Sequence, residues 1–270
     1  MLAVDEIDLI EGCLASVSWA DERLVVLDAS RTERMAAVVR GTGARIVERP
    51  WQSFQNQRNA ALDLATHAWV LFVDADERVP PSLAHEVRRV LRDPGEVTGF
   101  WIPRRNVIAG VWVKHAGWWP DRQLRLLLRA STRYDERGVV HEVAELAGAS
   151  ANLQEPLLHL NYETMAQFRA KQARYAVLEA RTLWERGVRA RPRNLVLQPL
   201  REFRRRTVEL EGIKHGTFGL RLGFEMALAH FQTYRELLRL TRSGDAPAGD
   251  ANAGTSVPSH AADTPTAPAD

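Results

Sequence analysis

A strongly apolar run that ends in two aspartates is the feature that most constrains this chain. Residues 69–73 read WVLFV, and Asp74 and Asp76 follow directly. A short apolar run of this kind predicts a buried strand, and ligands of open α/β sheets bind beyond the carboxyl ends of strands. Carboxylate oxygens suit Mg²⁺ and Mn²⁺, so the pattern predicts a divalent metal held by Asp74 and Asp76. The alternative is an acidic turn that only closes the strand.

Short apolar runs alternate with amphipathic segments over the first half of the chain. Strands are predicted at 24–27, 44–47, 69–73, 99–102, 124–128 and 139–143, and helices at 6–17, 32–41, 53–66 and 82–91. Ser53 is the predicted N-cap of the third helix. The alternation predicts an α/β fold with a mostly parallel sheet flanked by helices.

The second half is helical in character, and the chain ends in a polar tail. About three helices are predicted between Thr164 and Leu240, broken near Arg191-Pro192 and between Gly212 and Gly219. The tail is rich in Ala, Pro, Asp, Ser and Thr, which predicts disorder. We therefore expect an α/β domain at 1–160, a helical C-terminal extension at 161–242 and a disordered tail at 243–270.

Global composition gives only coarse limits. The formal net charge is +2, so a basic feature must be local. The single cysteine, Cys13, cannot form an internal disulfide and is interpreted as a small buried hydrophobe. We see no signal peptide and no apolar run long enough to span a bilayer, so we expect a cytoplasmic protein.

Six motifs occur in an order that resembles the family-2 glycosyltransferases of the GT-A fold, closest to the lipopolysaccharide core-biosynthesis glucosyltransferase branch. The motifs are WADERLVVLDAS, RPWQSFQNQRNAAL, WVLFVDADERVPPSL, FWIPRRNVIAGVWV, GWWPDRQLRLLLR and GVVHE. The resemblance covers roughly residues 5 to 240. Haloacid-dehalogenase-type phosphatases also carry Asp-x-Asp after an apolar strand, and they form a second, weaker alternative.

The resemblance implies a role for each matching residue. Asp28 would bind the base of a nucleotide-sugar donor, most simply a UDP-sugar, and Arg58 would lie near its nucleoside and phosphates. Asp74 and Asp76 would meet ribose, diphosphate and a Mg²⁺ or Mn²⁺ ion. Glu142 would be the base that takes the proton of the acceptor hydroxyl in an inverting displacement. The acceptor would be a glycan or a glycolipid.

Two histidines and three tryptophans leave alternatives open. His159 is a candidate third metal ligand and His141 a weaker one, because imidazole binds Mn²⁺, but a histidine beside apolar residues is more often a hydrogen-bonded core group. Trp112, Trp118 and Trp119 could form an aromatic wall for an acceptor sugar or fill the core under a loop.

The sequence departs from the family at its start. The usual longer first strand is reduced to Met1–Val4, so the first strand is expected to be truncated. The motif after Asp28 differs as well, with Ala29, Ser30 and Arg31 in place of the usual serine, glycine and aspartate. A catalytically inactive GT-A-fold binding protein is therefore the second functional hypothesis.

The helical region is locally basic. Residues 186–206 contain eight arginines and one acid, Glu202, with apolar residues between them. This pattern favours peripheral contact with an anionic membrane surface, on the cytoplasmic face of the inner membrane. An arginine-rich solvated face is the alternative. Because no nucleic-acid-binding module is recognised, no nucleic-acid partner is expected.

Overall fold

A computed structural model describes residues 2–3, 7–29, 32–135 and 144–243 of the chain. The chain divides into two compact units. The first comprises Met1–Asn106 and Pro120–Asn161, and the second comprises Val107–Trp119 and Tyr162–Asp270. The predicted strand at 139–143 and the predicted tail after Ser243 lie outside the described residues.

Strands and helices alternate through the first unit, and helices dominate the second. The strands are β1 (Leu2–Ala3), β2 (Leu24–Asp28), β3 (Arg45–Arg49), β4 (Trp69–Leu71), β5 (Glu77–Arg78), β6 (Val97–Ile108), β7 (Val111–Trp112), β8 (Asp121–Leu128), β9 (Thr132–Arg133), β10 (Glu145–Leu146), β11 (Ala149–Asn152) and β12 (Leu157–Tyr162). The helices are α1 (Ile7–Ser16), α2 (Thr32–Gly41), α3 (Phe54–Leu64), α4 (Pro81–Val90), α5 (Met165–Glu185), α6 (Asn194–Arg204) and α7 (Gly216–Ser243).

The predicted α/β fold with flanking helices is confirmed, and only the three-stranded sheet is parallel throughout. Strands β1, β2 and β3 form a parallel sheet in that order. The larger sheet has the order β4-β8-β6-β12-β5, and β8 is antiparallel to both β4 and β6. No helix separates β6 from β8 in the chain, which suits antiparallel pairing, whereas β11 returns later in the chain and pairs parallel with β6.

Local sequence signals define the helix boundaries. The Ser53 side chain accepts a hydrogen bond from the Asn56 backbone N–H at 3.0 Å, which confirms the predicted N-cap of α3. Thr164 and Gln167 form a reciprocal capping box at the start of α5. The three predicted C-terminal helices are present as α5, α6 and α7. None of the helices within the described residues is long and apolar enough to cross a membrane.

Cys13 is buried in the core of the first unit, as predicted. Its thiol donates a hydrogen bond to the Asp74 carbonyl oxygen at 3.3 Å. Burial raises the pKa of this thiol to about 12, so it stays protonated at neutral pH. Cys13 therefore packs α1 against the turn that carries the two aspartates, and it is not a nucleophile.

The second unit is organised around Trp118 and a buried ion pair. Trp118 is fully buried and packs near Phe168, which supports core filling for this tryptophan. A π-helical turn, Arg205–Glu209, continues α6 and buries Arg206. The Arg206 guanidinium donates to Glu202 and to the Ala116 carbonyl oxygen, each at 2.6 Å.

A Glu202→Gln variant is expected to lose about 3 kcal/mol of unfolding free energy at neutral pH. Burial by itself would raise the Glu202 pKa, but Arg205 and Arg206 outweigh this effect and lower the pKa from 4.5 to about 2. The folded-state pKa lies below the unfolded value. The carboxylate therefore stabilises the fold above pH 4.5, and this contribution declines as the pH falls toward 2. Urea denaturation across this pH range measures it.

Glu209→Gln is the matched control, since Glu209 is about half exposed and bonds to Arg204 at the surface. Its unfolding free energy is expected to change by about 1 kcal/mol or less. Equal stability losses in the two variants would contradict the assignment of Glu202 as a buried stabilising group.

Candidate functional site

The two aspartates lie in a tightly hydrogen-bonded turn after β4. The Glu77 N–H donates to the Asp74 carbonyl oxygen, and the Asp74 N–H donates to Glu77 Oε2, each at 3.0 Å. Arg78 donates to the carbonyl oxygens of Ala75 and Glu77 at 2.8 Å. The turn is held by its own backbone, by the Glu77 side chain and by Arg78, so the backbone that carries Asp74 and Asp76 is fixed.

Strand pairing brings His159 to Asp76. Strand β12 is antiparallel to β5 with His159 opposite Glu77, and the Leu160 N–H donates to the Asp76 carbonyl oxygen. His159 Nε2 lies 3.2 Å from Asp76 Oδ2, and both residues are more than nine-tenths buried. The structure thus joins two of the three predicted metal-binding residues.

The hydrogen bonds of Asn106 determine the tautomer of a neutral His159. Asn106 Nδ2 donates to Asp121 Oδ2 at 3.1 Å, which leaves its Oδ1 to accept from His159 Nδ1 at 2.6 Å. In the neutral tautomer Nε2 then carries a lone pair toward a carboxylate oxygen. Two acceptors at this separation need a proton or a metal cation between them, and this orientation by an outer partner is typical of metal-bound histidines.

Asp74 is held by arginines. Its Oδ2 accepts a hydrogen bond from Arg125 Nη2 at 2.5 Å, while its side chain remains 33% exposed. Burial by itself would raise the pKa of the Asp74 carboxyl, but Arg125 and Arg58 outweigh this effect and hold the pKa well below its usual range. Asp74 is therefore an ionised carboxylate paired with a guanidinium, and its oxygen oriented toward Arg125 is already occupied.

Glu77 is the centre of a buried charge network that the sequence analysis did not identify. Its side chain is fully buried, with Oε1 3.0 Å from Arg125 Nη2 and 3.7 Å from Arg104 Nη1. Arg104 also donates to Asp121 at 2.9 Å, and Asp121 accepts from Asn106. The network therefore links Asp74 to Asp76 through an unbroken series of hydrogen bonds and ion pairs. A lone arginine within the apolar strand 124–128 was the available signal, because a buried charge requires a partner.

Arg58 lies beside this network on α3. Its guanidinium carbon is 5.8 Å from the centroid of the Phe72 ring and 5.4 Å from that of Tyr134. Within the described part of the chain, several buried polar atoms here have no hydrogen-bond partner. They are Arg58 Nε, Arg125 Nε and Nη1, and the Tyr134 hydroxyl. Such atoms are rare in folded proteins, and their concentration here indicates a place for an anionic or polar ligand.

The remaining predicted site residues lie in different places. Asp28 ends β2, the central strand of the parallel sheet, in register with Arg49. Glu142 and His141 lie outside the described residues. Trp112 and Trp119 are half-buried and pack edge to face at 5.7 Å, in contrast to the buried Trp118.

The described residues contain no group of three or more His, Cys, Asp or Glu side chains that could hold a metal. The three predicted metal ligands, Asp74, Asp76 and His159, are therefore not grouped together. The Asp74 carboxylate is paired with Arg125 instead. The Asp76–His159 pair still fits a divalent cation. Mg²⁺ is commonly bound by one or two carboxylates, with the remaining ligands supplied by phosphates and water, and Asp76 offers one such carboxylate.

Comparison with known proteins identifies related sequences. The profile of Glycosyl transferase family 2 matches residues 1–150. The lipopolysaccharide core biosynthesis glycosyltransferase LpsC of Rhizobium meliloti is 28% identical over 210 residues, which are 74% of this chain and 76% of LpsC. A TPR repeat-containing protein of Synechococcus elongatus is 35% identical over 111 residues, 41% of this chain, and the match spans only 27% of that protein's length.

Solved structures show more distant likeness. The mannosyltransferase PcManGT of Pyrobaculum calidifontis, in complex with GDP-Man and Mn²⁺, has a TM-score of 0.46 at 18% identity, with 84% of this chain and 72% of PcManGT covered. TarS residues 1–349 of S. aureus, in complex with UDP, has a TM-score of 0.43 at 14% identity, with 94% and 93% covered. These likenesses are too distant to assign a donor or a metal.

Proposed function

The chain belongs to glycosyl transferase family 2, and on that premise we propose that it transfers a sugar from a nucleotide-sugar donor to a glycan or glycolipid acceptor with inversion. Family membership makes the chain a glycosyltransferase with the GT-A fold and removes the phosphatase alternative. The observation that carries the finer proposal is the buried Asp76–His159 pair beside the Asp74–Arg125 pair.

The donor is proposed to bind at the carboxyl ends of β2 and β4. Asp28 would contact the base, and Arg58 the nucleoside and phosphates. The unpartnered N–H groups of Arg58 and Arg125 support this assignment, because diphosphate oxygens are strong acceptors for guanidinium donors. A UDP-sugar is the proposed donor.

Asp76 and His159 are the residues that would hold a Mg²⁺ or Mn²⁺ ion in this proposal. When bound, the cation would neutralise charge on the diphosphate leaving group. The buried network fixes both protein ligands, since Asn106 orients His159 and the turn orients Asp76. Asp74 is proposed to lie near the metal and to remain paired with Arg125.

Glu142 is proposed as the catalytic base, on the family resemblance of the GVVHE motif. The acceptor hydroxyl oxygen would form a bond to the anomeric carbon as the bond from that carbon to the phosphate oxygen breaks. The nucleoside diphosphate would leave with the bonding electron pair, and the hydroxyl proton would pass to Glu142. A single displacement of this kind inverts the anomeric configuration.

The acceptor is proposed to be a lipid-linked core glycan in lipopolysaccharide synthesis, on the similarity to LpsC. Peripheral membrane contact through the basic C-terminal helices would suit such an acceptor. Trp112 and Trp119, which remain half-buried, are proposed to offer apolar ring faces to a sugar.

Calorimetric titration of the chain with UDP, with and without Mn²⁺, tests the proposal. We expect Mn²⁺-dependent binding, and we expect GDP to bind at least about tenfold more weakly. Glu142→Gln is expected to bind UDP like the unchanged protein but to lose transfer from a UDP-sugar to an extracted core glycolipid by at least about a hundredfold, as expected for loss of a general base.

The outcomes separate the parts of the proposal. Metal-independent UDP binding would remove the metal assignment, and preferred binding of GDP would replace the donor base. If no nucleoside diphosphate bound, the enzyme proposal would be rejected in favour of a non-catalytic binding protein. Full transfer activity in Glu142→Gln would exclude Glu142 as the base.

A further inference from the structure

The apolar side chains exposed to solvent are concentrated in one part of the second unit. Of the nine exposed large hydrophobic residues in the described part of the chain, seven lie between positions 196 and 224. We name these seven the α6–α7 face; they are Val196, Leu197, Leu200, Val208, Ile213, Leu220 and Phe224. A cluster of this kind marks an interaction surface, because scattered single residues are the usual pattern.

Helix geometry groups the exposed residues in pairs. Val196 and Leu200 are four residues apart on α6, and Leu220 and Phe224 are four residues apart on α7, so each pair shares one side of its helix. Helix α7 contacts the π-helical turn and α6 at Gly223, where a Cβ would lie 2.6 Å from the Thr207 methyl group and 3.6 Å from the Phe203 ring. Phe224 is the next residue after this contact, and its side chain is 59% exposed.

A second close contact brings the connecting turn into the same face. A Cβ at Gly219 would lie 1.8 Å from the Gly212 carbonyl oxygen, so only glycine allows this approach. Ile213 and Leu220 follow these two glycines directly in the chain. Ile213 is 59% exposed although its neighbour Gly212 is buried. The turn between α6 and α7 thus presents its apolar residue outward.

The charge around the face is strongly positive. Residues 186–224 contain ten arginine or lysine residues and three glutamates, a net charge of +7 within a chain whose total is +2. Glu202 is buried and paired with Arg205 and Arg206. Arg206 is buried together with Glu202, so this pair removes one charge of each sign and the remaining residues keep the net charge of +7. Arg193, Arg201 and Arg221 are exposed among the apolar residues.

We propose that the α6–α7 face docks on an anionic lipid bilayer, with its apolar side chains in the interface and its arginines on lipid phosphates. This inference depends on the proposed function in one respect: membrane docking would give the enzyme access to a lipid-linked acceptor. Exposed Val, Leu and Phe among arginines are the combination that interfacial helices use. Nucleic acid would leave the apolar residues unused, and a second copy would bring two surfaces of like charge together.

Vesicle co-sedimentation of the full chain tests the proposal without donor or acceptor. We expect binding to vesicles of phosphatidylcholine mixed with phosphatidylglycerol, weaker binding at high salt, and little binding to phosphatidylcholine alone. A Leu200→Glu/Phe224→Glu variant is expected to lower the partition coefficient at least about tenfold, because it removes two apolar anchors and adds two charges that the lipid repels. Both positions are about 60% exposed, so the fold should tolerate the changes.

Val177→Glu is the matched control, because Val177 is an exposed apolar residue of α5 outside the face. It is expected to bind vesicles like the unchanged protein, and thermal unfolding by circular dichroism confirms that all variants are folded. The proposal is overturned if the unchanged protein stays in the supernatant with anionic vesicles, or if the double variant binds as well as Val177→Glu. Binding of an RNA oligonucleotide without vesicle binding, or self-association abolished by the double variant, would also overturn it.

A failure of the membrane-docking proposal can be distinguished from a failure of the proposed enzymatic function. Calorimetric binding of UDP needs no membrane, and vesicle binding needs no nucleotide. A chain that binds UDP but not vesicles would keep its enzymatic assignment and lose only the docking surface.

Discussion

An Asp76→Asn variant is expected to lose metal-dependent donor binding and to lower the rate of sugar transfer by about a thousandfold, which corresponds to several kcal/mol of charge stabilisation at the leaving group. The amide keeps the shape of the carboxylate but provides a weaker, neutral ligand. Its N–H can donate to the lone pair of His159 Nε2, which lies 3.2 Å from the present oxygen. Stability is therefore expected to change little while function is lost.

Asp63→Asn is the control for this substitution. Asp63 is exposed on α3 and pairs with Arg133 at the surface, so the same chemical change should leave transfer and UDP binding unaltered. Initial rates with a UDP-sugar over a range of Mn²⁺ concentrations make the comparison. If Asp76→Asn retained the Mn²⁺ dependence of the unchanged protein, Asp76 would not be a metal ligand.

The second large effect is expected from Arg125→Met. Methionine fills a similar space but leaves the fully buried Glu77 without its nearest guanidinium. Removal of one partner from a buried ion pair costs about 3–5 kcal/mol, because the other charge remains in a poorly solvated place. Urea denaturation should show this loss, and UDP binding should fall as well because Arg125 also holds Asp74.

Two variants make this prediction specific. Arg133→Met removes an arginine whose ion pair is more than half exposed, and it should cost about 1 kcal/mol or less. Adding Glu77→Gln to Arg125→Met should recover part of the stability, because the remaining buried group is then neutral. A loss in Arg125→Met no larger than that in Arg133→Met would show that the network contributes no more than a surface pair.

Helices and their caps were predictable because their determinants are local. Helix α2 has the predicted bounds, and Ser53 caps α3 through an atom only three residues away. The position of Asp74 and Asp76 after a strand was also correct, although β4 ends at Leu71 and not at Val73. The Phe72 N–H still donates to the Arg125 carbonyl oxygen, and the hydrogen-bonded turn begins at Asp74.

The partners of the buried charges depended on strand pairing. Sequence reasoning identified Asp76 and His159 separately, but it did not identify Arg125, Glu77 or the orientation of His159 by Asn106. The alternatives for Trp118 also needed the fold, since only the packing against Phe168 distinguishes a core residue from a sugar-binding wall.

The sequence by itself determined the α/β class, the bounds of α1 to α4 to within two residues and the strand that delivers two carboxylates, because periodicity, caps and apolar runs act within a few residues. Only the tertiary structure decided which carboxylate faces a histidine and which faces an arginine. Asp76 and His159 are 83 residues apart in the chain, and Asp74 and Arg125 are 51 apart. The register of β5 with β12 and of β4 with β8 sets these pairs, and register is a property of the assembled sheet.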